Sequence, residues 1–240
     1  MNARNVSLAL KQPRRPVPIK AWIAFLEEFF VFAVLLFGAA GTLFWPAAWA
    51  FLLVFFGWKL VITVIIAHED PALLDERTKS LLQEGQPPWD KMIVVAVVVL
   101  AAGWLVVMGL DVRFHWSAMP IWLQWIGAAG VLTAIWIYHL TFRANTFLAN
   151  VVKIQNERDH KVISDGPYAV VRHPLYAGVL LFLPMAALML GSWVGLAFTP
   201  LVASLYIIRT ALEDRELHQS LDGYSDYARR VRYRLIPLVW

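Results

Sequence analysis

Cysteine is absent from this 240-residue chain, which excludes disulfide staples, thiolate metal sites and a cysteine nucleophile. Charge is scarce as well: Asp, Glu, Lys and Arg make up 16% of the residues, against roughly 25% in a soluble domain. No Gly-x-Gly occurs anywhere, so neither the dinucleotide-binding fingerprint nor a phosphate-cradling loop is available. Internal repeats and low-complexity tracts are missing too. The cluster His68-Glu69-Asp70 lacks the i, i+4 His spacing of a helical metal site, and it reads as a loop segment with no metal.

What fills the chain is apolar. Hydrophobic residues account for 60% and mean hydropathy is +0.60, far from the roughly 45–50% apolar content of a soluble protein. The excess falls in runs at about 21–44, 49–67, 92–110, 121–142, 175–190 and 193–208. A run of about twenty residues is long enough to cross a hydrocarbon core of about 30 Å as a helix. The expected fold is therefore all-α, a polytopic transmembrane helical bundle of about six spans. The last two runs are short and meet at Gly191-Ser192, which predicts a tight C-terminal helical hairpin, with Pro184 and Pro200 expected to kink its arms. The first run follows a basic segment but is too long for a cleaved signal core, and it reads as a retained anchor.

All of the 21 Lys and Arg residues except Lys59 and Arg113 fall in segments 1–20, 68–91, 143–174 and 209–240. Six spans put those four segments on one side, and the positive-inside rule makes that side cytoplasmic, both termini included. The net charge of +4 is then a matter of topology, and no nucleic-acid partner is implied. The opposite side has short connections only, so any chemistry faces the cytoplasm. Several of the 12 Trp residues stand near run ends (Trp45, Trp49, Trp89, Trp116, Trp122, Trp193), as in an interfacial aromatic belt among membrane lipids. The 68–91 loop contains an amphipathic stretch at 72–83 suited to the membrane surface. Glu27 and Glu28 lie near the cytoplasmic end of the first run and read as interfacial, and Lys59 in the middle of the second has no partner visible in the sequence.

Two constellations could carry chemistry, and both lie in 143–240, which reads as a catalytic region following an N-terminal membrane region of four spans, 1–142. In the first, Gly166-Pro167-Tyr168 precedes Arg172-His173-Pro174-Leu175-Tyr176. Pro174 suits the first turn of a helix, so Arg172 and His173 stand at a helix N-terminus, either as anion-binding groups or as membrane anchors. In the second, Arg209 and Glu213 are spaced i, i+4, sharing one face if the last helix continues beyond its apolar run. Beyond them, Arg229, Arg230, Arg232 and Arg234 read as a strip for lipid headgroups.

The order of these motifs carries a resemblance. Gln155, His160-Lys161-Val162-Ile163, Gly166-Pro167-Tyr168, Arg172-His173-Pro174-Leu175-Tyr176-Ala177-Gly178, a short hairpin, Arg209 with Glu213-Asp214-Arg215-Glu216-Leu217, then Gly223-Tyr224-Ser225-Asp226-Tyr227 and Arg234-Leu235-Ile236-Pro237 together resemble the isoprenylcysteine carboxyl methyltransferase family in its prokaryotic form. The resemblance covers about 147–240. It implies an integral membrane enzyme using S-adenosyl-L-methionine in a cytoplasmic cofactor pocket closed by the C-terminal segment. The cofactor contacts it implies fall on Gln155, His160, Lys161, Val162, Ile163, Tyr168, His173, Pro174, Leu175, Tyr176 and Glu213. The substrate-binding arginine it implies is Arg209, and Arg172 is a further candidate for the cofactor carboxylate or for shaping the pocket. The family's paired glutamates stand here as Glu213-Asp214. The partner so implied is a lipophilic small molecule or lipidated substrate bearing a carboxylate; no oligomeric state follows. N-methylation of an aminophospholipid, NADPH-dependent reduction of an isoprenoid or sterol, and a catalytically silent membrane scaffold are the rival readings.

Overall fold

A computed structural model describes residues 16–240, and it is helical, with no strand among those residues. The basic N-terminal segment expected ahead of the first span lies, except for residues 16–20, outside the described residues.

Helix α1, Ile19–Ala33, runs on through a π-helical turn at Val34–Gly38. It is followed by α2 (Pro46–Glu69), α3 (Pro71–Arg77), α4 (Pro88–Phe114), α5 (Ile121–Ala144), α6 (Pro174–Leu190), α7 (Trp193–Ser220) and α8 (Tyr224–Arg230). Five helices are long and apolar enough to cross a bilayer, and the apolar α6 is shorter. Their outward faces carry exposed Phe30, Val34, Leu53, Val99, Trp125 and Trp136, side chains that lipid accepts and water does not. This is an integral membrane helical bundle, and each of the six expected runs forms a helix.

Chain punctuation explains the helix starts. Pro46, Pro71, Pro88 and Pro174 each occupy the first turn, where a missing N–H costs no bond and φ is already helical. Asp70 caps α3 by accepting from Leu73 N at 3.0 Å. The tight C-terminal hairpin is present: Gly191 turns the chain at φ 80° and Ser192 caps α7 through Gly195 N at 2.8 Å. Both hairpin helices run on through their internal prolines, Pro184 and Pro200.

Close packing places α5 against α6. A Cβ on Gly127 would stand 2.3 Å from the Met189 backbone nitrogen, so only glycine lets these two backbones approach, as is common where helices pack in membranes.

The final helix continues beyond its apolar run to Ser220, about 18 Å further at helical rise, which meets the condition for Arg209 and Glu213 to share a face. Two expectations need correction. The 68–91 loop is helical only from Pro71 to Arg77, because Ser80, Gln83 and Gln86 bond the chain into turns instead. Trp45 is buried, edge-on to Phe37 at 6.4 Å, whereas Trp49, Trp116, Trp122 and Trp193 are exposed as expected of interfacial anchors. Lys59 gains the partner the sequence concealed, Glu28 of α1.

Polar connections gather at one end of the bundle. Lys20 meets Asp75 at 2.7 Å, Arg143 meets Glu69 at 3.4 Å, and Asn150 donates to Arg77 O at 2.9 Å. The other end is closed by Asp111, which accepts from Ser117 N at 2.9 Å and from the Ser192 hydroxyl.

Candidate active site

Two cavities share a wall at that polar end. One is a polar cleft of about 100 Å³ lined by His160, Lys161, Val162, Ile163, Tyr168, Arg172, His173, Leu175, Tyr176 and Glu213, together with Asn145, Phe147, Tyr224 and Tyr227. The other is a larger cavity of about 440 Å³ between α1, α2, α4, α5 and α6, within the range of small-molecule sites. Phe25, Phe55, Trp58, Ile62, Val98 and Phe142 make it predominantly apolar. Ala149, Leu175 and Tyr176 line both.

Tyr176 stands at the boundary because α6 begins there. Its hydroxyl donates to Glu213 Oε2 at 2.6 Å, and the Arg209 guanidinium lies 5.6 Å from its ring centroid. Arg209 lines the apolar cavity and Glu213 the polar cleft. One turn of α7 therefore presents a cation to one cavity and an anion to the other, with Tyr176 between them.

Each of these side chains is held. Arg209 Nε donates to Asp90 Oδ1 at 2.8 Å, and its Nη2 reaches Asp90 Oδ2 at 3.4 Å and Asn150 O at 3.0 Å. Asp90 is fully buried at the start of α4 and also accepts from Val152 N and Gln86 Nε2.

Asp214, next in sequence to Glu213, points the other way, since adjacent helix positions are about 100° apart. It is 1% exposed. Arg172 donates to it twice, at 2.8 and 3.0 Å, and Arg234 Nε and the Tyr224 hydroxyl donate at 2.8 Å each. His173 Nε2 lies 3.3 Å away. These charge-assisted bonds, with two phenols stacked edge to face (Tyr224 and Tyr227 at 5.6 Å), fasten the C-terminal segment over α6. The backbone N–H groups of Arg172 and His173, expected to be open to an anion, donate at 2.9 Å to Tyr233 O and Arg234 O. Arg172 is accordingly a brace whose charge is already matched. Arg234, expected in a headgroup strip, belongs to the same network.

The loop side of the cleft is built on aromatic contact. His160 stacks on Phe147 at 4.4 Å, and Arg158 lies over the other partner of that stack, 5.4 Å from the Phe147 centroid. Burial, reinforced by the Arg158 charge, lowers the His160 pKa to about 4, so the ring is neutral at physiological pH. Tyr168 accepts from Asn145 Nδ2 at 2.8 Å, and burial raises its pKa. Gln155 is fully buried but lies outside the cleft lining: it donates to Phe147 O at 2.7 Å and accepts from Arg158 Nη1 at 2.7 Å, bracing the loop. Pro174 is likewise outside the lining. The structure thus gathers His160, Lys161, Val162, Ile163, Tyr168, His173, Leu175, Tyr176 and Glu213 at one cleft, and puts Arg209 across Tyr176 in the second cavity. Among the described residues no cluster of metal-binding type is present.

Known proteins resemble this chain over part of its length. Residues 123–219 match the model of the isoprenylcysteine carboxyl methyltransferase (ICMT) family. The chain is 31% identical over 90 residues to protein-S-isoprenylcysteine O-methyltransferase B of Arabidopsis thaliana, covering 37% of this chain and 46% of that protein. It is 29% identical over 99 residues to protein-S-isoprenylcysteine O-methyltransferase of Schizosaccharomyces pombe, covering 40% and 42%. The chain thus spans less than half the length of either of these relatives. A solved structure of the eukaryotic intramembrane Ras methyltransferase ICMT, without a monobody, aligns at a TM-score of 0.47 with 19% identity, over 88% of this chain and 73% of that one.

Proposed function

We propose that this chain, which matches the isoprenylcysteine carboxyl methyltransferase family over residues 123–219, transfers a methyl group to the carboxylate of a lipophilic acceptor in the membrane, with the polar end of the bundle in the cytoplasm. The observation that carries the reading is the pair of cavities, one polar and one apolar, that meet at Tyr176 between Glu213 and Arg209. The N-terminal helices contribute most of the acceptor cavity and the 143–240 region most of the cofactor cleft. Charge bias toward the polar end supports its cytoplasmic placement.

The cleft suits S-adenosylmethionine, a cation overall: the Glu213 carboxylate and the Tyr176 ring offer a negative face, while Val162, Ile163, Leu217 and the Phe147–His160 stack offer an apolar bed for a flat base. When bound, that cofactor supplies an electrophilic methyl group. Arg209 holds the acceptor carboxylate from the far side of Tyr176, with Asp90 fixing the guanidinium plane. A carboxylate is already ionised at neutral pH, so no general base is needed. Positioning is the work of the site, and an oriented pair in a dry pocket can gain about 7–11 kcal/mol over reaction in solution. The apolar cavity, walled by helices that face lipid, admits the tail sideways from the bilayer.

Calorimetry with S-adenosylhomocysteine and, in parallel, NADPH on the detergent-purified protein tests this reading. Micromolar S-adenosylhomocysteine binding that weakens at least about tenfold in Glu213→Gln is the expected result. In turnover, Arg209→Gln should raise the acceptor KM or lower kcat with cofactor affinity retained. NADPH binding alone would replace the proposal with a reductase, and binding of neither would leave the scaffold reading.

A further inference from the structure

The acceptor cavity carries four charged side chains, Glu28, Lys59, Arg77 and Arg209. Lys59 is matched by Glu28, and Arg209 is matched by Asp90. Arg77, the last residue of α3, is different. Its guanidinium lies over the Phe142 ring at 4.9 Å, and its Nη1 is a stretched 3.5 Å from Ala149 O. Among the described residues no carboxylate is within ion-pair distance of it. Burial foremost, with the neighbouring Arg209 charge adding, brings its pKa down to about 10, so it remains a cation at neutral pH.

Arg77 and Arg209 converge on two successive carbonyls of one loop. Arg77 approaches Ala149 O while Arg209 donates to Asn150 O at 3.0 Å, and Asn150 Nδ2 bonds back to Arg77 O. At a centroid distance of 6.0 Å from Phe142 stands Trp58, another residue of the cavity wall, whose indole Nε1 is buried with no hydrogen-bond partner. An unmatched cation in an apolar cavity is costly to leave so. It becomes favourable when an anion arrives.

We infer that Arg77 is a second anchor for the acceptor's carboxylate, acting beside Arg209 and supplying the net positive charge that makes the cavity select an anionic headgroup. The inference rests on the proposed methyl transfer and goes beyond it. Because Asp90 neutralises Arg209, that pair alone would favour a carboxylate little over a neutral amide. Arg77 makes the difference, and it disfavours a protonated amine by the same charge.

The test compares N-acetyl-S-farnesylcysteine with its carboxamide, by calorimetry on the wild type, Arg77→Gln and Arg77→Lys, with S-adenosylhomocysteine affinity and melting temperature measured alongside. Loss of a hydrogen-bonded charge pair corresponds to about a tenfold effect or more. The wild type should therefore bind the carboxylate at least about tenfold more tightly than the amide, Arg77→Gln should hold only a small part of that preference, and Arg77→Lys most of it. Arg77→Gln should also melt no lower than the wild type, since it removes an unmatched, half-buried charge, and should keep its S-adenosylhomocysteine affinity. An unchanged carboxylate preference in Arg77→Gln, or a variant that melts lower and loses S-adenosylhomocysteine affinity as well, would overturn the inference. A wild type that binds S-adenosylhomocysteine but not the carboxylate preferentially overturns it too, leaving methyl transfer to a neutral acceptor. Absence of S-adenosylhomocysteine binding removes the proposed function itself.

Discussion

Replacing Asp214 with alanine takes away the one carboxylate on which Arg172, Arg234, Tyr224 and His173 converge. Removing one partner of a buried ion pair costs about 3–5 kcal/mol, because the remaining charge is left without compensation. Arg172 has a side chain only 7% exposed and bears that cost nearly in full, whereas Arg234, at 33%, recovers water and bears less. The expected loss is therefore about 4 kcal/mol, or a fall in melting temperature of about 10 °C for a chain of this length. The backbone contacts of Arg172 and His173 to Tyr233 and Arg234 depend on the same network, so the cleft opens along with it. Thermal unfolding in detergent followed by near-ultraviolet circular dichroism reads the stability, and calorimetry with S-adenosylhomocysteine reads the cleft. Asp214→Asn keeps the shape and part of the hydrogen bonding, and it should fall between wild type and alanine on both scales. An alanine variant melting within about 2 °C of wild type would refute the reasoning, because the network would then contribute less than a single exposed ion pair.

Composition made the bundle legible. Runs of twenty apolar residues have few alternatives, and the clustering of Lys and Arg gathered the polar segments on one side before any coordinate was known. The i, i+4 spacing of Arg209 and Glu213 likewise predicted a shared face, which the continuous α7 provides. Long-range pairing was illegible: Asp90 lies 119 residues before Arg209, and an acidic residue in the first turn of an apolar helix looks like any favourable dipole partner. Asp214 stood in plain view as the second half of an acidic pair, yet its role follows only from the rotation between neighbouring helix positions. Arg234 reads as one cation in a strip because charge alone does not distinguish it from Arg229, which simply pairs with Asp226 on the surface. Arg77 left no signal at all, since an unmatched charge is defined by what fails to surround it. Its stretch, 72–83, reads as an amphipathic segment for the membrane surface, and the folding of 149–150 against α3 makes it part of a cavity wall.

Two further outcomes follow from packing and from protonation. Gly127→Ala would drive its Cβ to 2.3 Å from the Met189 nitrogen and 2.7 Å from Met185 O, contacts with backbone that cannot rotate aside; overpacking of this kind costs about 1–3 kcal/mol. Thermal melting of the variant should show it, and an unshifted transition would mean that α5 and α6 lie further apart than described. His160 bears on pH dependence. Its folded pKa is depressed to about 4 from the ordinary 6.5, so the unfolded chain takes up the proton first as the medium is acidified. The stabilisation is therefore fully present above pH 6.5 and is lost as pH falls from 6.5 toward 4. His160→Phe keeps a flat ring against Phe147 but removes the titration. Its melting temperature should decline less steeply than that of the wild type across that interval, and the two should run parallel above pH 7. Parallel curves throughout would show that His160 titrates normally in the fold, and that the Phe147 stack does not exclude water from the imidazole.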